Sequence, residues 1–181
     1  MKKLLARLPD RQGILHVYAT AVFMVYGWTL YTSFWKVPSW LFYLTLGEVL
    51  SIYSYAFVIN FLESLLLVFP LLLLGVVLPA RWWNHHFTPY GMAWVVCIAG
   101  SAMLRLYNLR EPSMWEDFLH GQWLWWGLTV LLAIALSFFL SRIGWLRKGI
   151  EGLADRLVIF LYIYLPLTAL SFVVLLARAL G

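Results

Sequence analysis

Apolar residues run through this chain in long stretches separated by short charged groups. Ile14 to Trp35, Trp123 to Ser141 and Leu157 to Ala177 carry no Asp, Glu, Lys or Arg, while Ala56 to Leu78 and Pro89 to Leu106 carry one each, Glu63 and Arg105. Each is near the length of about 20 residues that a helix needs to cross a hydrocarbon core of about 30 Å. The pattern predicts an all-α, polytopic membrane bundle of five spans, at about 14–35, 56–78, 89–106, 123–141 and 157–177, forming a single transmembrane domain over residues 1–181. No internal repeat, low-complexity tract or linker divides it.

The stretch from Leu41 to Leu78 is too long for one crossing: 38 residues of straight helix would reach about 57 Å. Either Leu41 to Tyr55 lies along the membrane surface and the rest crosses once, or the chain crosses twice with a reversal near Asn60. Cytoplasmic loops carry an excess of Lys and Arg, which discriminates between the two. One crossing puts Lys2, Lys3, Arg7, Arg11, Arg81, Arg142, Arg147, Lys148 and Arg156 on one side and Lys36, Arg105, Arg110 and Arg178 on the other. Two crossings leave the sides nearly balanced. The single crossing is therefore expected, in the cell membrane, with the N-terminus cytoplasmic and the C-terminus outside.

The segments between spans read as interfacial. Lys36-Val37-Pro38-Ser39-Trp40 places a turn after the first span, since proline cannot continue a helix and tryptophan prefers the headgroup level. Residues 110–120, with Trp115, Phe118 and Leu119 on one side, predict a short outer helix. Ile143, Leu146, Ile150, Leu153 and Leu157 recur at helical spacing among Arg142, Arg147, Lys148, Glu151 and Arg156. That basic amphipathic segment is expected to lie on anionic lipid.

Composition agrees with a membrane setting: 64% of residues are apolar and 12% charged, against about 25% charged in soluble domains. The net charge of +5 is distributed in blocks at span ends and forms no continuous face for nucleic acid. A basic start, Met1 to Arg7, resembles the opening of a signal peptide, but the apolar run after it is too long for one and reads as an uncleaved span. Cys97 is the single cysteine, which removes intrachain disulfides and paired-thiol chemistry.

Candidate chemistry is sparse. Carboxylates within a membrane are costly and tend to be functional, which singles out Glu63, with Asn60 one turn before it, in the polar run Glu48, Ser51, Ser54, Asn60, Glu63 and Ser64. Glu48 and Glu63 are about 22 Å apart along a helix, too far to act as a dyad. Glu63 and Arg105 stand about 24 and 26 Å above the turn joining their spans, so an ion pair between them is expected. Glu63, Asn60 and Arg105 are thus the candidate ligand-binding residues, with a structural ion pair the favoured role.

His16, His85 and His86 share one end, but no carboxylate is near in sequence and zincin spacing is absent, so neither metal nor cofactor is expected. Tryptophans cluster at span ends as aromatic belts, with Trp123, Trp125 and Trp126 the one conceivable cage. Ala93-Cys97-Ser101 and Ala133-Ser137-Ser141 are small-residue packing seams. Pro70 and Pro166 fall within spans and are expected to loosen them, with Thr168 near the freed carbonyls.

Five spans, abundant tryptophan and Lys36-Val37-Pro38-Ser39-Trp40 resemble the tryptophan-rich sensory protein (translocator protein) family. The proline-rich stretch that follows in that family and its aromatic last-span motif are missing here, so its porphyrin or sterol ligands are not carried over. No nucleotide loop, nucleophile elbow or protease motif is present. The sequence supports a non-catalytic accessory or scaffold component of a membrane complex. The alternative is a small transporter, channel or lipid-handling enzyme using the run around Asn60 and Glu63.

Overall fold

The structure, a computed structural model, describes residues 9–77, 83, 86–108 and 121–180. Lys2, Lys3, Arg7, Arg81, His85, the side chain of Ser141 and the outer helix expected over residues 110–120 lie outside the described residues. Within them the protein is all-helical: α1 (Arg11–Phe34), α2 (Val37–Tyr43), α3 (Leu46–Val77), α4 (Phe87–Asn108), α5 (Gln122–Arg142) and α6 (Gly144–Leu180). All but α2 are long and apolar enough to cross a membrane.

The side-chain pairings set the helix directions. Tyr53 meets Ser33 and Asn60 meets Thr29, so α3 runs antiparallel to α1. Ser101 meets Thr129 and Arg105 meets Trp125, which makes α5 antiparallel to α4. His16 meets Asp155 and Tyr26 meets Thr168, so α6 runs parallel to α1. Together with α4 lying parallel to α1, this is the alternation five crossings require. The start of α1 and the end of α6 accordingly lie at opposite ends of the bundle.

Helix α1 is the centre. It packs against α3, α4 and α6, α6 also packs against α3, and α5 is attached to the outer side of α4. Its sequence suits the position, because Gly13, Ala19, Ala21, Val17, Val22 and Val25 are buried and small enough for close neighbours. A Cβ at Gly91 of α4 would stand 2.5 Å from Val17 Cγ2. Only glycine allows the two helices to come this close.

Tyr26 joins three helices. Its ring lies 5.6 Å from that of Phe57 on α3 and 4.6 Å from that of Tyr164 on α6. Its hydroxyl lies 3.1 Å from the Phe57 carbonyl and 2.5 Å from Thr168 Oγ1, which is itself 2.8 Å from the Tyr164 carbonyl.

Two expectations about helix ends are corrected. The break after Leu41 comes at Leu44, in extended backbone, and not near Tyr55; α3 then runs unbroken through Asn60 and Pro70 to Val77. Its start is fixed by a capping box, a threonine and a glutamate three apart that satisfy each other's amides. The Thr45 amide donates to Glu48 Oε2 at 2.7 Å, and the Glu48 amide lies 3.4 Å from Thr45 Oγ1.

Likewise, the basic amphipathic segment forms no separate surface helix. A single extended residue, Ile143, separates α5 from α6, and α6 continues from Gly144 through Pro166 to Leu180. Thr168 bonds the Tyr164 carbonyl rather than that of Tyr162, the one Pro166 deprives of its amide partner. At 1.5 Å per residue α3 is about 48 Å and α6 about 55 Å long, so both project beyond the apolar slab.

Gly91→Ala is expected to lower the thermal stability of the purified protein by about 1–3 kcal/mol through overpacking against Val17. Gly100→Ala, which meets nothing within 4 Å, should leave stability unchanged or raise it by up to about 1 kcal/mol through helix propensity. Melting curves of both variants in one detergent check the contrast.

Candidate functional site

Most of the polar run on α3 is consumed by the helix itself. Ser51, Ser54 and Ser64 are buried and donate to the carbonyls of Gly47, Leu50 and Phe61 at 2.8–2.9 Å. Glu48 caps the helix. Such back-bonding lets small polar side chains sit against neighbouring helices without an unmet donor, so these residues form no polar path through the bundle. On α6, Thr168 and Ser171 do the same, and Ser51 also accepts a short hydrogen bond from Arg178 near the end of α6.

Asn60 and Glu63 remain. Asn60 is buried; its Oδ1 accepts a hydrogen bond from Thr29 Oγ1 at 2.9 Å, and its Nδ2 has no partner among the described residues. Glu63, one turn on, is exposed on the bundle surface and forms no ion pair within the described residues. Since Asn60 is level with Thr29, Glu63 stands eight residues, or about 12 Å, inside the end of α1.

The expected pairing with Arg105 is not formed. Arg105 lies over the Trp125 ring of α5, 5.7 Å from its centroid. The reason is lateral: depth along the helices matches, but α1 sits between α3 and α4, which touch each other only slightly. Glu63 instead borders a recess of about 260 Å³ with Val25, Trp28, Leu66, Ala99 and Ala102. Leu66 also lines an adjoining recess, where Ile14 and Tyr18 face Leu62, Leu65 and Phe69. The two, joined at Leu66, make one apolar groove along α1, with the buried Tyr18 hydroxyl beside Ser64.

A second place was not legible from the sequence. His16, 7% exposed, is 3.0 Å from Asp155 Oδ1 through Nε2. Arg147 Nε donates to Glu151 Oε1 at 2.9 Å, and its Nη1 lies 3.3 Å from His86 Nδ1. His16, Arg147, Glu151 and Asp155, together with Asp10, Gln12 and Thr88, line a polar chamber of about 460 Å³ between the first turns of α1 and α4 and the projecting part of α6. His16 is therefore more than an interfacial histidine, and a carboxylate distant in sequence reaches it. The helical spacing of Glu151 and Asp155 was the available signal.

The remaining sequence candidates separate. Trp123 is 91% exposed whereas Trp125 takes Arg105 on its face, so with Trp126 they form no common cage. In the packing seams Ala93, Cys97 and Ala133 are buried, and Ser101 bonds Thr129 at 2.7 Å to tie α4 to α5. Among the described residues, no three His, Cys, Asp or Glu side chains are placed to hold a metal ion. No family model, curated protein or solved structure matches the chain. The functional reading is accordingly built on these side chains.

Asn60→Leu is expected to change stability by less than about 1 kcal/mol, because the lost hydrogen bond is offset by removal of the unpartnered amide donor. Thermal melts of Asn60→Leu alone and with Thr29→Val check this; a loss above about 3 kcal/mol would give Asn60 a stronger structural bond than the geometry contains.

Proposed function

We propose that the protein is a non-catalytic component of a membrane assembly and that its groove receives a transmembrane helix of a partner protein. One observation carries the proposal: Glu63 is a carboxylate within the apolar length of the bundle, turned outward, and among the described residues it forms no ion pair. An ionisable group at that depth is costly unless paired or neutralised. A partner helix with a Lys or Arg at the level of Glu63 supplies the missing charge, and the small side chains of Ala99 and Ala102 let its backbone approach.

In this reading the N-terminus is cytoplasmic. Arg11, Arg142, Lys148 and Arg156 then meet anionic lipid of the inner leaflet, each contributing on the order of 1 kcal/mol near the surface. A small transporter, channel or lipid-handling enzyme is the second reading, favoured by the same carboxylate if a cation or proton occupies it in place of a helix.

A photo-crosslinking residue at Leu66, introduced into the protein in its native membrane, is expected to capture a polypeptide whose transmembrane helix carries a basic residue. Glu63→Leu should reduce that capture at least tenfold. The same substitution should leave the isolated protein's stability within about 0.5 kcal/mol or raise it, since Glu63 is exposed and forms no ion pair among the described residues. Crosslinks to lipid alone, or capture unchanged by Glu63→Leu, would overturn the assembly reading.

A further inference from the structure

At the end of the bundle from which α1 starts, far from Glu63, the polar chamber has an excess of acceptors among the described residues. Three carboxylates line it, Asp10, Glu151 and Asp155, against one guanidinium, Arg147, and the buried His16. His86 lies beside Arg147. Glu151 and Asp155 each place one oxygen on a partner, Arg147 and His16, which leaves the second oxygen of each open. Asp10 precedes α1 yet makes no side-chain capping bond, so its whole carboxylate is available. Thr88 and Gln12 add neutral oxygens at the rim.

The acceptors are spread around a volume of about 460 Å³, within the range of about 300–1,000 Å³ usual for small-molecule sites. Among the described residues they do not converge on a point where a metal ion would be held. Spread acceptors and net negative charge suit a cation with several directed N–H donors, as in a primary ammonium with its three hydrogens. The chamber also sits where the apolar helices end: it opens beside Asp10, Gln12 and Gly13 on α1, while the uncharged part of α6 begins only at Leu157. That is headgroup level for a bilayer around the bundle.

We propose that this chamber binds a primary ammonium group, carried either by the headgroup of an ethanolamine phospholipid or by a soluble amine. Asp10, just before α1, and Asp155 on α6 both line the chamber and supply acceptors to the cation. The His16 contact holds Asp155 in place, and Arg147 holds Glu151. A trimethylated ammonium has the charge but no N–H donors, so the chamber discriminates against it.

Native mass spectrometry of the full chain, with phosphatidylethanolamine and phosphatidylcholine of identical acyl chains supplied in equal amounts, tests the lipid source. Protection against heat by ethanolamine in detergent tests the soluble one. Expected is at least fivefold preference for phosphatidylethanolamine, or stabilisation by ethanolamine absent with choline, in either case lost in Asp10→Asn. Asp10 holds no other side chain, so this variant keeps the fold; Asp155→Asn, which also releases His16, serves as the second. Lipid preference without ethanolamine protection assigns a lipid ligand, and the reverse a soluble amine. Equal binding of both lipids with no protection by ethanolamine, or a preference that survives Asp10→Asn, would overturn the proposal.

Discussion

The hydroxyl of Tyr26 is the point at which three helices of this bundle are held in register. In an apolar surrounding a phenol must find an acceptor, and those it meets among the described residues are the Phe57 carbonyl on α3 and Thr168 on α6. Satisfying it fixes the height of both helices against α1, while Phe57 and Tyr164 enclose the ring. On the other side, Val17 lies against Gly91, and that contact sets the spacing to α4. Apolar side chains gain little from leaving lipid for a helix interface, so shape and hydrogen bonds of this kind decide which helices are neighbours.

Because α1 occupies the centre, α3 and α4 are held apart, and their separation leaves a recess over the half-buried Trp28 and Thr29 of α1. The groove with Glu63 is a consequence of that arrangement. Its chemistry differs from that of the serines on the same helix, whose hydroxyls turn back to their own carbonyls and ask nothing of a partner. A carboxylate cannot be satisfied in that way, since it has no proton to donate to a carbonyl when ionised.

The other end of the bundle follows from the length of α6. Being continuous from Gly144, it carries Arg147, Glu151 and Asp155 upright beside the first turns of α1 and α4 instead of along the membrane surface. Its buried side, with Ala154 and Leu157, packs into the same core as Val17 and Phe87. The apolar stripe that reads as a lipid-facing surface in the sequence is thus partly covered by protein, and the charged residues around it enclose a chamber.

By itself the sequence determined the number of apolar helices and the polarity of each segment, since these depend on residues close together in the chain, but it placed the starts of α3 and α6 ten or more residues late. The true start of α3 was also legible in Thr45-Leu46-Gly47-Glu48, although a length argument drew the break to Tyr55; a helix longer than the hydrocarbon core can simply project. Lateral order was decided only in three dimensions. Glu63 and Arg105 have matching depths, yet sequence-adjacent helices need not touch, and α1 lies between them. His16 and Asp155 are 139 positions apart, and no local pattern records that α1 and α6 run side by side. Periodicity specifies what a helix face is made of; which face meets which depends on the simultaneous packing of all five long helices.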